Sequence, residues 1–519
     1  MSTSNMTPIT ISSAPGIQRD GTLLAGEGFV DGEWVRFQRG LPRKMGGYRQ
    51  VSPSLAELAR GMRADMSGNS IYLHIGSTSY LTQVVTNQQG ILSGQFNRTP
   101  VGFVPDDNHL WTLDTFTETL GGTLQIIGCA TNTLLDIADN TEKTIYFGPL
   151  TTTAQLTAAF AGDPMGAGVS GGVVALWPFF MGYGSDGEAK WTAPNDLTAW
   201  NTRYHLTGSK IVKGMPMRGN GNGPAVILWS LTDVIVGQFV GFDSTASSYV
   251  FNFTTVSTQS SVLSSQGFID YDGVYYWVGV DSFKMFNGVV SEIPNNKNVN
   301  WFFDNLNFVQ RQKVFAYKVP RFGEIWWCFP FGTATECTHA VVYNIRERTW
   351  YDTELPASMR TAGAFAQSYR FPFMCDATVN SVTSDYTLWQ HETGVDEITN
   401  TPNAVKAIRA RIRTGEFSPI LSGQDQGFRI SRTEPDFIQV GPMTVRVISR
   451  ANARAPEVAG EIFTFDAPPA AAPEDQPVNM KEAKRLMALE FESNVAGGDF
   501  QMGKTLAYVA PEDMRNTGP

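Results

Sequence analysis

The sequence predicts an all-β chain: a β-propeller of about six or seven blades with a C-terminal antiparallel β-sandwich-like domain. Three observations predict it. A unit of glycine-rich turn, apolar strand, polar turn and second strand recurs at intervals of 47–52 residues, marked by Tyr72, Leu124, Leu176, Ile227, Tyr276, Trp326 and Phe373. That spacing suits propeller blades of four strands. Composition agrees: 50 glycines, 28 prolines and 12% aromatic residues among 519 suit many short strands joined by tight turns. Beyond residue 395 the repeat stops, and segments such as "GFRISRTEPDFIQV" and "MTVRVISRANAR" alternate apolar and polar positions, the pattern of half-buried strands.

Taken in order, residues 1–50 form an N-terminal arm. Its stretch "FVDGEWVRFQRGLPRKMGGYRQV" has strand character and either completes the ring or binds a neighbour. Residues 51–395 form the propeller. A single four-stranded blade cannot cover its own apolar faces, so blades must pack face to face around an axis. Runs such as "VYYW" and "EIWWCF" are apolar at successive positions and are expected to be inner strands buried on both faces. The polar, turn-rich "HETGVDEITNTPN" marks a boundary, and residues 396–519 form the C-terminal β domain. "APPAAAPEDQPVN", from Ala467 to Asn479, is expected to be a Pro/Ala loop across its middle.

The formal net charge is −10, which argues against general affinity for nucleic acid and leaves room for a local basic patch. Only 17% of residues are charged and 42% are hydrophobic, so a large core can be buried. Cys129, Cys328, Cys337 and Cys375 form no CxxC pair and are expected to be reduced, buried thiols. The polar N-terminus lacks the apolar centre of a signal peptide. The apolar run from Val173 to Met181 is far short of the ~20 residues a bilayer span needs. A protein made in a cytoplasm, with no membrane-spanning segment, is expected.

Several stretches imitate chemical motifs. "GVSGG", from Gly168 to Gly172, fits the G-x-S-x-G nucleophile pattern, but the strand-like "VVALWPFF" follows Ser170 where that motif needs a helix. "RGNGNG", from Arg218 to Gly223, lacks the Gly-Lys-Ser/Thr of a phosphate loop and reads as a hairpin. "DYDG" and "GSDGE" do not continue into a calcium loop and read as tight turns. None of His74, His109, His205, His339 and His391 has the spacing of a metal site, so neither metal nor other cofactor is expected, and no catalytic residue.

Two groups of arginines are candidates for a subunit or partner interface. In "KAIRARIRT", Arg409, Arg411 and Arg413 share one face of a strand, and Ile408, Ala410 and Ile412 the other. Such a row repels itself unless it is solvated or paired with acids. It either guards an edge strand or makes a salt-bridged subunit contact or a phosphate contact. Arg346 and Arg348 flank Glu347 between two strands of the sixth unit, in "VVYNIRERTWYDTELP". They form a solvated hairpin tip or touch a partner subunit.

Three places carry a resemblance to a known family: "VDGEWVRFQRGLPRKMGGYRQV", "VVYNIRERTWYDTELPASMRTAG", and the run from "RTEPDFIQVGPMTVRVISRANAR" through "RLMALEFESNVAGGDFQMGKTLAYVAPEDMR". Here the chain resembles the tail hub or nozzle proteins of short-tailed bacteriophages, also called packaged-DNA-stabilisation or tail tubular proteins. The resemblance implies a structural virion protein of the tail. It implies a homohexameric ring below the portal and its adaptor (the head-to-tail connector). That ring would retain packaged DNA, pass it during ejection without sequence-specific binding, and dock tail fibres or a needle. It implies no catalytic residues. A rival expectation is a propeller glycosidase or depolymerase acting on host surface glycan, with Trp277, Trp326 and Trp327 stacking on sugars; these tryptophans sit in apolar runs and read as core.

Overall fold

Antiparallel strand pairing repeats along the chain until it forms a ring. The computed structural model describes residues 6–23, 28–107, 109–117, 122–131, 141–158, 168–201, 203–217, 223–245, 248–366, 369–400, 402–418, 427–467 and 477–512. Among these, seven sheets have the four successively paired strands of a propeller blade. Their first strands are Gly61–Ser67, Leu110–Thr117, Gly172–Leu176, Ile211–Met217, Phe268–Tyr271, Phe315–Val319 and Ala362–Ala364. These first strands pack on one another from blade one to four, from five to seven, and from seven back to one, so they surround the axis. Blades four and five meet through Trp229 and Trp277, whose rings lie 5.6 Å apart.

The apolar runs of the sequence are second strands, one step out from the axis. Ala225–Ser230 and Glu324–Phe329 are buried at every position, because both faces are covered by neighbouring blades. Trp191, Trp229, Trp277, Trp326, Trp327 and Trp350 are all fully buried; truncating one to alanine would cost roughly 3–5 kcal/mol. Six of the seven repeat markers lie on second strands; Leu176 instead ends the first strand of blade three. The face-to-face contact is close. A Cβ at Gly76 would run into the ring of Trp111 on blade two, so only glycine fits there.

The seventh blade is assembled from both ends of the ring. Ala362–Ala364, Phe373–Cys375 and Tyr386–His391 come from its own stretch, and the fourth strand is Tyr48–Leu55, paired antiparallel from Tyr386↔Leu55 to His391↔Tyr48. Val51 and Leu55 share a core with Ile71 and Leu73 of blade one and Phe373 and Leu388 of blade seven. The ring is thus closed by an N-terminal strand. This corrects two expected boundaries. The propeller begins at Tyr48, inside the span assigned to the arm. Asp396–Asn400 and Asn403–Ala407, expected in the C-terminal domain, instead extend the seventh blade beyond Tyr48–Leu55.

The C-terminal strands form two facing sheets, and the N-terminal arm is woven into both. One sheet runs Val478–Lys484, Gly427–Val440, Asp499–Glu512, Leu41–Lys44, Val35–Gln38, with Thr7–Ile11 also on Asp499–Glu512. The other runs Asp31–Glu33, Ala410–Arg413, Leu486–Ser493, Met443–Arg450, Val458–Phe465. Phe428, Ile430, Val445, Leu489, Phe491 and Val509 lie in the core between them. That core continues through Trp34 and Phe37 into Trp326 and Tyr351 of blade six and Trp389 of blade seven. Arm, sandwich and the last two blades therefore share one apolar interior.

Candidate functional site

The hairpin of blade six ends in the Arg346-Glu347-Arg348 tip. Asn344 Oδ1 accepts the backbone N–H groups of Arg346 and Glu347 at 3.0 Å each, a local turn that asparagine is suited to make. Arg348 takes the left-handed conformation, with φ 50°. The Glu347 carboxylate accepts the backbone N–H groups of Arg39 (2.7 Å) and Gly40 (3.1 Å). Arg346 donates to the carbonyls of Pro320 (2.7 Å) and Arg321 (2.8 Å). The tip fastens the N-terminal arm to blade six; Arg348 is exposed.

The arginine row lies on an interior strand, which removes the edge-guarding reading. Ala410–Arg413 is flanked by Asp31–Glu33 and Leu486–Ser493, with Arg413 opposite Asp31 and Glu490, and Arg411 opposite Glu33 and Glu492. The alternation holds, since Ile408, Ala410 and Ile412 are buried in the shared core. Arg409 pairs with Glu492 (2.8 Å) and Glu33 (3.3 Å). Arg411 pairs with Asp31 and with Glu490 (3.1 Å). Arg413 makes a two-pronged contact with Glu457 at 2.6 and 2.8 Å. Burial pushes the Asp31 carboxyl up, yet Arg19 and Arg411 outweigh it and hold the group below its usual range. The row's charge is met within the chain.

A second ionic centre joins arm to propeller. Arg36 is 1% exposed and donates to Glu392 at 2.5 and 2.7 Å and to Glu324 at 3.1 Å. Glu324 also accepts Trp326 Nε1 (2.9 Å) and Tyr351 O–H (2.7 Å). Burial pushes the Glu324 carboxyl up, opposed by Arg36. Beside this centre opens a cleft of about 210 Å³, whose walls include Arg43, Arg321, Phe322, Arg370 and Phe371.

Sequence reasoning missed an axial cluster. Arg63 of blade one contacts Asp65 at 3.1 Å, Asp114 of blade two at 2.9 Å, and Thr115 Oγ1 at 3.1 Å. Burial pushes Lys213, on the first strand of blade four, down to about 8, opposed by Asp114. These residues are far apart in sequence; the available signal was that each falls on the first strand of its repeat. Here both carboxylates are held by one guanidinium.

The motif-like stretches are structural where they are described. Ser170 is 1% exposed and its Oγ accepts the Ser185 N–H at 2.7 Å, with the strand Gly172–Leu176 following. Asp270 Oδ1 accepts the Gly273 N–H at 3.0 Å across a hairpin turn, and Asp186 sits in the short 3-10 turn Ser185–Gly187. Residues 218–222 of "RGNGNG" and 468–476 of the Pro/Ala loop lie outside the described residues. All four cysteines are free and buried, and burial pushes the Cys129 thiol up to about 12. Among the described residues no group of three His, Cys, Asp or Glu could hold a metal ion, and no helix is long and apolar enough to cross a membrane.

No protein-family model and no curated protein matches the sequence. Among solved structures the chain is similar to one from "Crystal Structure of Mitotic Checkpoint Complex", at 9% identity and a TM-score of 0.38, covering 67% of this chain and 95% of that one. At that distance the likeness carries no argument, and the propeller rests on the strand pairing above.

Proposed function

We propose that this protein is a structural component of a short-tailed bacteriophage tail, a hub or nozzle subunit, and not an enzyme. In this reading six copies form a ring below the adaptor that retains packaged DNA, conducts it during ejection and docks fibres or a needle. One observation carries the proposal beyond the sequence resemblance: the three stretches that bear it come together in space. Trp34 N–H donates to Thr353 Oγ1 at 2.8 Å, Arg39 and Gly40 bind Glu347, and Leu41–Lys44 pairs with Asp499–Glu512 through Arg43 and Gln501. Segments hundreds of residues apart thus build the one body that ties arm, sandwich and ring. The net charge of −10 adds support, because a like-charged wall does not hold DNA by phosphate neutralisation.

The test is electron microscopy of the phage particle with gold-labelled antibody against the chain. Label on the tail below the head is expected; label confined to the capsid shell, or none on the particle, overturns the reading. A screen of the purified protein on host surface glycans addresses the depolymerase alternative. Turnover abolished by Asp65→Asn or Asp114→Asn would replace the structural reading with an enzymatic one.

A further inference from the structure

The cleft beside Arg36 has a charge balance opposite to that of the chain. Its walls carry Arg36, Arg43, Lys44, Arg321 and Arg370 against two acids, Glu392 and Asp499, while the whole sequence has 39 basic and 49 acidic residues. Three of these cations are already engaged. Arg36 is held by Glu324 and Glu392. Lys44 Nζ donates to the Gly498 carbonyl at 2.8 Å. Arg43 donates to Gln38 Oε1 at 3.3 Å and stands 3.9 Å from Asp499.

Arg321 and Arg370 differ. Both are exposed. Neither has an ion pair or a side-chain hydrogen bond among the described residues; each guanidinium lies instead over an aromatic ring, Arg321 over Phe322 at 5.0 Å and Arg370 over Phe371 at 5.4 Å. Burial, then Arg370 and Arg43, lower the Arg321 pKa, opposed by Glu392, so the neighbouring cations outweigh the nearest acid. Across Phe322 a second hollow of about 240 Å³ is rimmed by Arg39, Arg346 and Glu347.

We propose that this cleft is a docking site for an acidic segment of another protein chain, whose carboxylates are clasped by Arg321 and Arg370. Guanidinium forks match carboxylates in a two-pronged geometry and remain charged at every working pH. Phe322 and Phe371, under these guanidiniums, hold the forks at the cleft wall. A peptide fits better than a duplex. DNA presents a charge every ~1.7 Å along its axis and calls for an extended basic stripe. Here the cations converge on one cup walled by the sandwich and by blades six and seven, in a chain of net charge −10. The inference is independent of the conduit reading and uses the isolated full-length chain.

The experiment is a fluorescence-anisotropy titration with a labelled peptide of alternating Glu and Asp. The same peptide as its Gln/Asn counterpart and a labelled 20-base-pair duplex serve as comparisons. The acidic peptide is expected to saturate the protein and the amide peptide not to. The double variant Arg321→Ser/Arg370→Ser should weaken acidic-peptide binding by roughly tenfold or more while keeping the melting temperature. Arg454→Ser, an exposed arginine of the sandwich, should leave the affinity unchanged. No saturation by the acidic peptide, equal binding of the amide peptide, or unaltered affinity in the double variant overturns the proposal. So does a duplex that binds more tightly than the peptide and is lost with the same two arginines.

Discussion

The arginine row on Ala410–Arg413 and the cleft beside Phe322 are both crowded with guanidinium groups, yet they reach opposite balances. The row receives Asp31 and Glu33 from the arm, Glu490 and Glu492 from the next strand, and Glu457 from the loop before Val458–Phe465. The cleft receives carboxylates only where Arg36 and Arg43 stand, and leaves Arg321 and Arg370 to aromatic faces. The lesson concerns how a cluster of cations should be read. Its role follows from the acids that the fold brings alongside, and these come from other parts of the chain.

Removing a fully enclosed cation should test this comparison hardest. Arg36→Ala strands Glu324 and Glu392 in the interior and is expected to destabilise the chain by about 3–5 kcal/mol in urea denaturation. Arg36→Met with Glu324→Gln should recover part of that loss; no recovery would mean that packing, not charge, sets the cost. At the row, Arg411→Ala is expected to cost about 1–3 kcal/mol, because half-buried Asp31 and buried Glu490 lose a charge-assisted contact. Arg411→Lys should restore only part, since an ammonium lacks the fork.

pH probes a place where cations surround a group that the fold keeps neutral. Burial, then Arg98 and Arg63, push His74 down to about 3. Its unfolded value is near 6.5, so the unfolded state binds the extra proton. The stability His74 supports is complete above about pH 6.5 and declines as pH falls from there toward 3. The slope is about 1.4 kcal/mol per pH unit, or about 2 kcal/mol between pH 6.5 and 5. His74→Gln should flatten that decline; an unchanged pH profile would show that His74 is not the sensor. The smallest effect belongs to the cleft: Arg321→Ser or Arg370→Ser should shift unfolding stability by no more than about 0.5 kcal/mol, since neither side chain makes an ion pair or hydrogen bond among the described residues. A larger loss would mean that these arginines are structural and erase the contrast with the row.

The ring was legible because second strands buried on both faces leave uninterrupted apolar runs, as in Ala225–Ser230 and Glu324–Phe329. Alternation placed Ala410 and Ile412 inward and the arginines outward for the same reason. The partners of those patterns were not legible. Nothing in "YRQVSPSL" says that it pairs with Tyr386–His391, because strand pairing depends on matched backbone edges and not on a residue code. The row looked self-repelling because Asp31, Glu490 and Glu457 lie far off in sequence. The cleft was invisible because Arg43, Arg321 and Arg370 are separated by the whole propeller or by much of a blade.

The strand Tyr48–Leu55 also sets a timetable. On a ribosome it emerges before any blade, yet its partner Tyr386–His391 is among the last parts of the propeller to be made. At about 5–20 residues per second the wait lasts on the order of tens of seconds. Through that interval an edge capable of recruiting a stranger stays open, and a nascent chain must keep it from mispairing until the final blade arrives.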